Sequence, residues 1–433
     1  MIVRSGRGLA LVLAVVAAGA VLAVALVERA RAGGEVLSRS SASTSEIEPH
    51  LAVARNGEVA VAWMGVMDGA ATHIGVRFSS DRGTTWSPVQ RVDAPEGRLV
   101  ADPVVVSDAA GTFYLTWLSF KANHRAGGEP HDMHVYAARA KAGSHHFGPA
   151  AEATSPSDAF RYDKPWAVVT ANGALSIVYR HEAADKRGLT LATSQDGALF
   201  RRRVLTESAE FLGTLASVCT DDGSAPERGP PRNDRVWVVY VDPLAGVVLR
   251  DSEDPSPVSH AVSRAGENVA LEGPTCLARG QEVIVAYGLA SGGVDTGRSA
   301  LLSSVHIARS NDGGRTFTEH ADIREEGALL MHPALARGGG GDLDLVYLSG
   351  RGDGDAQASL RWRRIASLAA LGTYTASRVV RAPLRLAARR DDPAWGGDYL
   401  GLARGGEILY AAFADNARGE PHVAFAAPGG AHD

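Results

Sequence analysis

The sequence predicts an all-β protein and, within that class, a β-propeller, with seven blades favoured and six as the alternative. A unit of short, strongly β-prone strands recurs along the chain at intervals of roughly 50–65 residues. The 433 residues include 49 glycines and 20 prolines, which is typical of a chain with many turns. With 45% hydrophobic residues and only 2 cysteines, the core must come from apolar packing. This composition excludes disordered chains and small disulfide-scaffolded peptides.

The first 32 residues have the pattern of an export signal. Arg4 and Arg7 precede an apolar run from Leu9 to Val27, and a small-residue site ending at Ala32 follows. This order predicts a signal peptide over residues 1–32 or, because the run approaches the ~20 residues that span a bilayer, an N-terminal membrane anchor. Both predict a secreted or periplasmic protein, in the second case tethered to the membrane.

The rest of the chain is predicted to form one unit. Residues 33–46 are a short lead that could supply a ring-closing strand, and residues 47–433 are predicted to be a single propeller domain. Export would place Cys219 and Cys276 in an oxidising environment. They are expected to form either a disulfide or two small buried thiols, and the sequence leaves both open.

Each repeated unit opens on a strand with Pro or Gly near its start, and a hairpin turn leads to a second strand rich in β-branched and aromatic residues. In a propeller the first strands all run the same way, so their N-terminal ends should meet at one mouth of the central channel. The openings include Glu48, Asp102, Asp163, Leu212, Gly273, His332 and Gly397. The second strands read Val59–Trp63, Thr112–Trp117, Leu175–Tyr179, Arg235–Tyr240, Glu282–Tyr287, Asp342–Tyr347 and Glu407–Phe413.

A shorter motif, Ser-x-Asp-x-Gly-x-Thr-aromatic, occurs twice in full and once in a form one residue shorter. In such a turn the Asp accepts backbone N–H bonds, the Gly supplies a positive φ, and the aromatic residue packs on the edge of a blade. We expect these turns to be structural and to lie on the face opposite the mouth. Their residues are Ser79, Asp81, Gly83 and Trp86; Ser194, Asp196 and Phe200; and Ser310, Asp312, Gly314 and Phe317.

With these repeats the chain resembles the sialidase-type β-propellers, the Asp-box or bacterial neuraminidase repeat family, from about Glu48 to Ala426. In detail it is similar to exported bacterial sialidase-like proteins, whose units contain Asp-Lys-Pro-Trp, here Asp163–Trp166, and Gly-Asp-Tyr-x-Gly, here Gly397–Gly401. The resemblance implies a propeller whose short turns are Asp boxes. It also implies carbohydrate binding or glycoside hydrolysis, although one fold hosts many functions.

Several carboxylates are predicted to converge at the mouth. Their repulsion could be relieved by basic neighbours, by raised pKa values, by a bound cation such as Ca²⁺ or by the hydroxyls of a ligand; alternatively, each carboxylate caps its own strand. If the protein is an enzyme, two acids among Glu48, Asp102, Asp163 and Asp398 would act as a glycosidase pair. The candidate catalytic residues are Asp102, Tyr399, Glu48 and Asp398. The candidate ligand-binding residues are His50, Arg161, Asp163, Lys164, Trp166, His332 and Trp395.

The resemblance to sialidases also implies three arginines that bind the sugar carboxylate, the first in an Arg-Ile-Pro motif, together with an Asp acid/base and a Tyr nucleophile. The matching opening here reads Ile47-Glu48-Pro49, so an acid stands where the arginine is expected. A carboxylate at that position opposes an anionic sugar. By position Tyr399 would be the nucleophile and Asp102 the acid/base. The candidates for the arginines are Arg161, Arg180 and Arg390.

His131 and His134 stand in a histidine-rich stretch predicted to be a loop of the second unit. Neutral imidazole is a good ligand for zinc or copper, but histidines in a surface loop are more often solvated. No firm metal site is predicted.

Three functions are compatible with these features. The first is an exported propeller that binds or hydrolyses a glycan or another polyhydroxylated ligand at an acidic mouth. The second is a non-catalytic scaffold for a protein or a cell-surface polymer, and the third is an exo-α-sialidase. Paired acids about 5–10 Å apart and facing an open pocket would indicate hydrolysis, whereas acids held in hydrogen bonds would not. A nucleic-acid partner is not expected, because the net charge is −5 and the basic residues are scattered.

Overall fold

The computed structural model describes residues 35–38, 44–67, 70–122, 130–155, 161–208, 215–221, 235–254, 258–271, 273–291, 301–338, 341–366 and 376–428. The predicted signal peptide or anchor, residues 1–32, lies outside them. Over the described ranges the chain is all-β, with 28 strands and no helix. Consequently no helix in these ranges is long and apolar enough to cross a membrane.

Four sheets, named blades 1 to 4 in chain order, each contain four antiparallel strands. Their second strands are the most buried, because neighbouring sheets cover both faces. Blade 1 comprises β2 (Thr44–Val53), β3 (Val59–Met67), β4 (Ala70–Ser79) and β5 (Gln90–Asp93), and blade 2 comprises β6 (Leu99–Ser107), β7 (Phe113–Lys121), β8 (His131–Ala140) and β9 (Ala151–Glu152). Blade 3 comprises β10 (Arg161–Val169), β11 (Leu175–Glu182), β12 (Arg187–Ser194) and β13 (Arg201–Ser208), and blade 4 comprises β14 (Ser217–Thr220), β15 (Val236–Asp242), β16 (Gly246–Asp251) and β17 (His260–Ala261).

The remaining strands form an eight-stranded sheet, called the double sheet, and a four-stranded closing sheet. The double sheet comprises β18 (Thr275–Arg279), β19 (Glu282–Ala290), β20 (Leu302–Ser310), β21 (Glu319–Ile323), β22 (Leu329–Arg337), β23 (Leu343–Gly350), β24 (Asp355–Ile365) and β25 (Arg378–Leu386). The closing sheet comprises β26 (Gly401–Gly405), β27 (Ile408–Asp415), β28 (His422–Ala426) and the N-terminal β1 (Glu35–Val36).

The sheet count differs from the seven separate blades that the sequence favoured. Five sheets are four-stranded, and the units expected as the fifth and sixth blades are joined in the double sheet. The reason is local: β21 pairs only with Val305–Arg309 of β20, so the start of β20 is left to pair with β22. That junction is one residue pair, Leu302 with Leu330.

The first strand of each repeated unit lies at the centre of the molecule. In the described part of the chain, β2, β6, β10, β14, β18, β22 and β26 contact one another in that order, and β26 contacts β2. The closing sheet combines strands from both ends of the described chain, because β1 pairs antiparallel with β28, placing Glu35 opposite Phe425. The strands therefore form a closed ring, which is a β-propeller.

The three Ser-x-Asp turns share one hydrogen-bond pattern. In the third of them, Asp312 Oδ1 accepts bonds from Ser310 Oγ at 2.7 Å and from the backbone N–H groups of Arg315 and Thr316 at 3.0 and 2.9 Å. The turns at Asp81 and Asp196 repeat it. Each turn follows the third strand of its unit, which runs parallel to the first strand, so the turns lie at the end opposite the first-strand openings.

A disulfide joins two neighbouring first strands. Cys219 on β14 and Cys276 on β18 are bonded, with their Cα atoms 5.6 Å apart. Both are 5% exposed and belong to one apolar cluster. Of the two states left open by the sequence, the structure has the disulfide.

Candidate functional site

Four first strands share the same backbone distortion near their N-terminal ends. At Glu48, Asp102, Lys164 and His332 the strand register shifts, and φ is 52° at each. Each of these residues precedes a proline. A positive φ costs a non-glycine residue of the order of 1–3 kcal/mol, and such strain tends to accumulate at functional sites. The repeated distortion brings charged side chains of different strands together at these strand ends.

Lys164 lies at the centre of this group. Its Nζ donates to Asp102 Oδ1 and to Asp398 Oδ2, both at 2.8 Å, and lies 3.8 Å from Glu48 Oε1. Glu48 Oε1 also faces the backbone N–H of Asp398 at 3.4 Å. We call these four residues the Lys164 cluster. It connects blades 1, 2 and 3 with the segment that leads into the closing sheet.

A second cation completes the charge balance. Arg390 donates to Asp398 Oδ2 at 2.9 Å, so Asp398 faces both Lys164 and Arg390. Burial would raise the pKa of Asp398, but these two cations outweigh it and hold that pKa well below its usual range. Burial disfavours the charged form of Lys164, but Asp102, Asp398 and Glu48 raise the pKa of Lys164 well above its usual range. Asp102 and Asp398 are therefore compensated by cationic side chains of the protein itself.

Glu48 is the exception among the acids of the Lys164 cluster. It is 1% exposed, and its Oε2 has no hydrogen-bond partner in the described chain. Burial raises the pKa of Glu48 well above its usual range, and the attraction of Lys164 is opposed by Asp102 and Asp398. The carboxylate form of Glu48 is therefore less favoured than in an exposed glutamate.

Three aromatic rings pack beside the Lys164 cluster. The ring centroid of Trp166 lies 5.0 Å from that of His50 and 5.3 Å from that of Tyr399, both edge to face. The Tyr399 hydroxyl donates to the carbonyl of Pro103 at 3.1 Å, and His50 Nδ1 lies 3.1 Å from the carbonyl oxygen of Val105. Burial, reinforced by Glu48, Asp102 and Asp398, raises the pKa of Tyr399 well above 10. This environment opposes the nucleophile role that position alone suggested for Tyr399.

A cavity opens next to these rings. Its empty space of about 430 Å³ includes open solvent at its entrance, so it is a partly open depression. Four of the sequence-predicted residues line it: Trp166, His332, Asp398 and Tyr399. The rest of the lining consists of Leu215, Ser217, Gly273, Pro274, Thr275, Pro333, Ala334 and Leu400. Glu48, Asp102 and Lys164 do not line it, and Glu48 and Asp102 are buried.

Other predicted site residues lie outside this cavity. Asp163 accepts the backbone N–H of Lys164 at 2.9 Å and lies 4.0 Å from Arg180, while Arg180 also binds Glu182 at 2.9 Å. Arg161 begins β10 opposite Glu182. The Trp395 ring lies 5.9 Å from the guanidinium of Arg390 and packs against the core of blades 1 and 2. Arg161 and Trp395 are therefore not placed to contact a ligand in the cavity.

Sequence reasoning missed two polar residues of the cavity, Ser217 and Thr275. Thr275 follows the Gly273-Pro274 opening as Trp166 follows Lys164-Pro165, so an alignment of the openings on proline would have indicated it. Ser217 offers no such signal, because its unit has no proline at the opening.

Of the two histidines considered as metal ligands, His134 contacts carboxylates of the protein itself. His134 Nδ1 lies 2.9 Å from Glu152 Oε1, and His134 Nε2 lies 2.7 Å from Asp132 Oδ1. His131 is the exposed first residue of β8. Across the described ranges, no group of three or more His, Cys, Asp or Glu residues is arranged to hold a metal ion. The prediction of a loop was also inexact, because both histidines belong to β8.

We expect His50 to make the fold sensitive to acid. Burial lowers the pKa of His50 from 6.5 to about 4, so the unfolded chain takes up a proton that the folded chain resists. This contribution to stability is present above pH 6.5 and is lost as the pH falls from 6.5 towards 4. Chemical denaturation at pH 7 and pH 4.5 should show a smaller loss of stability for His50→Gln than for the wild type. An equal loss in both proteins would contradict the assignment.

Comparison with known proteins reveals relatives in structure alone. No family model matches the chain, and no curated protein matches it in sequence. A protein of unknown function from Dyadobacter fermentans aligns with a TM-score of 0.53 and 15% identity, over 91% of this chain and 96% of that one. The GH93 α-L-arabinofuranosidase of Fusarium graminearum, in complex with arabinobiose, aligns with a TM-score of 0.51 and 10% identity, over 91% and 97%.

A Hadza microbial sialidase aligns with a TM-score of 0.50 and 14% identity, over 88% of this chain. The chain spans 65% of the length of that sialidase. At these identities the likeness shows the fold alone. The chain is a β-propeller of the architecture found in sialidases and GH93 arabinofuranosidases.

Proposed function

We propose that the protein is an exported glycan-binding propeller that holds a neutral sugar in the cavity between Trp166 and His332. The observation that carries the proposal is the composition of this cavity. Aromatic rings can cover the apolar face of a sugar, and Asp398 and two hydroxyl side chains can pair with its hydroxyls. The N-terminal segment predicted from the sequence supports export. The closed ring of first strands supports treating the double sheet as two blades, which makes seven in all.

The preference for a neutral sugar follows from the charges at the mouth. Lys164 and Arg390 balance Asp102 and Asp398, and the raised pKa of Glu48 disfavours its carboxylate form. The site therefore has no excess positive charge that an anionic ligand would neutralise. A sialic acid would also lack the arginines that sialidases provide, because Arg390 is paired with Asp398 and Arg180 with Glu182.

The contacts of Asp102 and Asp398 favour a binding function over hydrolysis. Asp102 Oδ1 and Asp398 Oδ2 contact the same Lys164 nitrogen at 2.8 Å, so these two oxygens are at most twice 2.8 Å apart. That spacing is compatible with the approximately 5–5.5 Å of retaining glycosidases. However, a lysine occupies the space between them and Asp102 is 3% exposed, so they do not face a ligand as a pair.

The direct test is a binding titration of the purified exported fragment with lactose, arabinobiose and sialyllactose, with and without EDTA. We expect a neutral sugar to bind more tightly than sialyllactose, and EDTA to change nothing, since protein cations balance the acids. Release of methylumbelliferone from its sialoside, assayed from pH 4 to 8, should be absent. Preferred binding of sialyllactose, or turnover of the sialoside, would reject the proposal.

Trp166→Ala should weaken the binding of the neutral sugar by about tenfold or more, because it removes the largest aromatic surface of the cavity. Trp395→Ala is the matched control, since Trp395 lies nearby but stacks on Arg390 outside the cavity. Both variants should be compared by titration after their melting temperatures have confirmed that they fold. Equal loss of affinity in the two variants would show that the cavity is not the binding site.

A further inference from the structure

One wall of the cavity comes from two neighbouring first strands and carries two hydroxyl side chains. Ser217 is the first residue of β14, and Thr275 is the first residue of β18. Both line the cavity, and neither hydroxyl makes a hydrogen bond to any residue that the structure describes. By contrast, the hydroxyl of Thr220, at the other end of β14, donates to the carbonyl of Arg235. Hydroxyls in a semi-enclosed wall that lack protein partners are available to a ligand.

The disulfide holds these two residues in a defined relation. Cys276 directly follows Thr275, and Cys219 stands two residues after Ser217. The strands that carry them are short, four residues in β14 and five in β18. Strands this short form few ladder hydrogen bonds. The disulfide adds a covalent link between them and so limits the distance between the two hydroxyls.

We propose that Ser217 and Thr275 are specificity-determining residues that recognise two hydroxyl groups of the bound sugar. The inference rests on the proposed function and extends it, because it assigns the recognition of the hydroxyl pattern to a wall that contains no charged group. A serine or threonine hydroxyl donates one hydrogen bond and accepts two, which matches the donor and acceptor character of a sugar hydroxyl. Trp166 and Tyr399 cover the apolar part of the ligand, and Ser217 and Thr275 select among sugars of similar shape.

The consequence is selection against sugars that lack a hydroxyl. When a site is built to hydrogen-bond a ligand hydroxyl, an analogue without that group leaves protein polar groups unpaired and binds more weakly. The selection should depend on each protein hydroxyl separately, since Ser217 and Thr275 belong to different strands.

The test uses Thr275→Val and Ser217→Ala in the full exported fragment. The probes are lactose, arabinobiose and the monodeoxy analogues of whichever of the two binds more tightly. We expect each variant to bind the parent sugar about 3- to 10-fold more weakly than the wild type does. The wild type should bind one monodeoxy analogue more weakly than the parent sugar by a similar factor. The corresponding variant should bind that analogue and the parent sugar with equal affinity. This non-additivity identifies a direct contact, which a general loosening of the cavity would not produce.

Thr116→Val is the matched control, because Thr116 is a buried threonine of β7 outside the cavity. It should bind the parent sugar as the wild type does. The inference would be overturned if both cavity variants bound the parent sugar with wild-type affinity. It would also be overturned if the affinity losses from the substitution and from the missing sugar hydroxyl were additive. Either result would leave glycan binding intact. Failure of every probe to bind the wild type would instead reject the proposed function, and the inference with it.

Discussion

Lys164→Met should lower the free energy of unfolding by about 3–5 kcal/mol, the usual cost of removing one partner of a buried ion pair. The Lys164 side chain is 15% exposed, and it contacts Asp102 and Asp398, which are 5% and 13% exposed as side chains. Without the lysine, the Asp102 carboxyl group stays in a buried site and loses its cation. Methionine fills much of the lysine volume, so the loss reports charge more than packing. Denaturant titration at pH 7 measures the effect.

The matched control is Lys141→Met, the same substitution at an exposed lysine, which should change stability by less than about 0.5 kcal/mol. Adding Asp102→Asn to Lys164→Met should restore part of the loss, because it removes the uncompensated carboxylate. A Lys164→Met protein as stable as Lys141→Met would show that the Lys164 cluster does not connect the blades energetically. Failure of Asp102→Asn to restore any stability would indicate a packing effect instead of an electrostatic one.

Loss of the Cys219–Cys276 disulfide should have the second large effect on stability. The chain-entropy model for a loop of this length gives a decrease of about 4 kcal/mol in the free energy of unfolding. The bridge spans a sequence separation of 57 residues and joins the first strands of two neighbouring units. In the unfolded chain it removes many conformations, and in the folded chain it holds the shortest first strand, β14, against β18. Cys219→Ala together with Cys276→Ala should therefore unfold at a clearly lower denaturant concentration.

Reduced wild type provides the comparison that separates the bond from the packing of its sulfurs. It should lose nearly as much stability as the double variant, and a reductant should not change the double variant at all. If reduction left the unfolding midpoint of the wild type unchanged, the disulfide would contribute no stability. The double variant also tests the cavity wall, since neutral-sugar affinity should fall when Ser217 and Thr275 lose their fixed spacing.

The fold class follows from the sequence because its signals are local. Alternating and β-branched strands, Gly turns and the Ser-x-Asp motif are each contained within a few residues, and their repetition indicates a ring of stacked units. The number of separate sheets was less predictable. Whether β20 pairs with β21 alone or also with β22 depends on a single contact, Leu302 with Leu330, and the sequence pattern of the strands does not encode it.

The position of several charged residues at the N-terminal ends of first strands likewise follows from the repeat. Glu48, Asp102, Lys164 and His332 stand at equivalent openings, so the sequence alone placed them on one face. It left open what compensates the acids: a cation, a raised pKa, a ligand or neighbouring basic residues. In the structure Lys164 and Arg390 balance them.

The sequence by itself therefore determined the class of fold, the turns and the residues that open the first strands. Only the tertiary structure decided that Lys164 lies between Asp102 and Asp398, which are separated by hundreds of residues along the chain, and that Cys219 bonds to Cys276. It also placed Ser217 and Thr275 in one wall of the cavity. The physical reason is that strands and turns depend on neighbours in sequence. Contacts between strands of different units depend on how the whole ring closes, and on which side chains the strained bulges bring together.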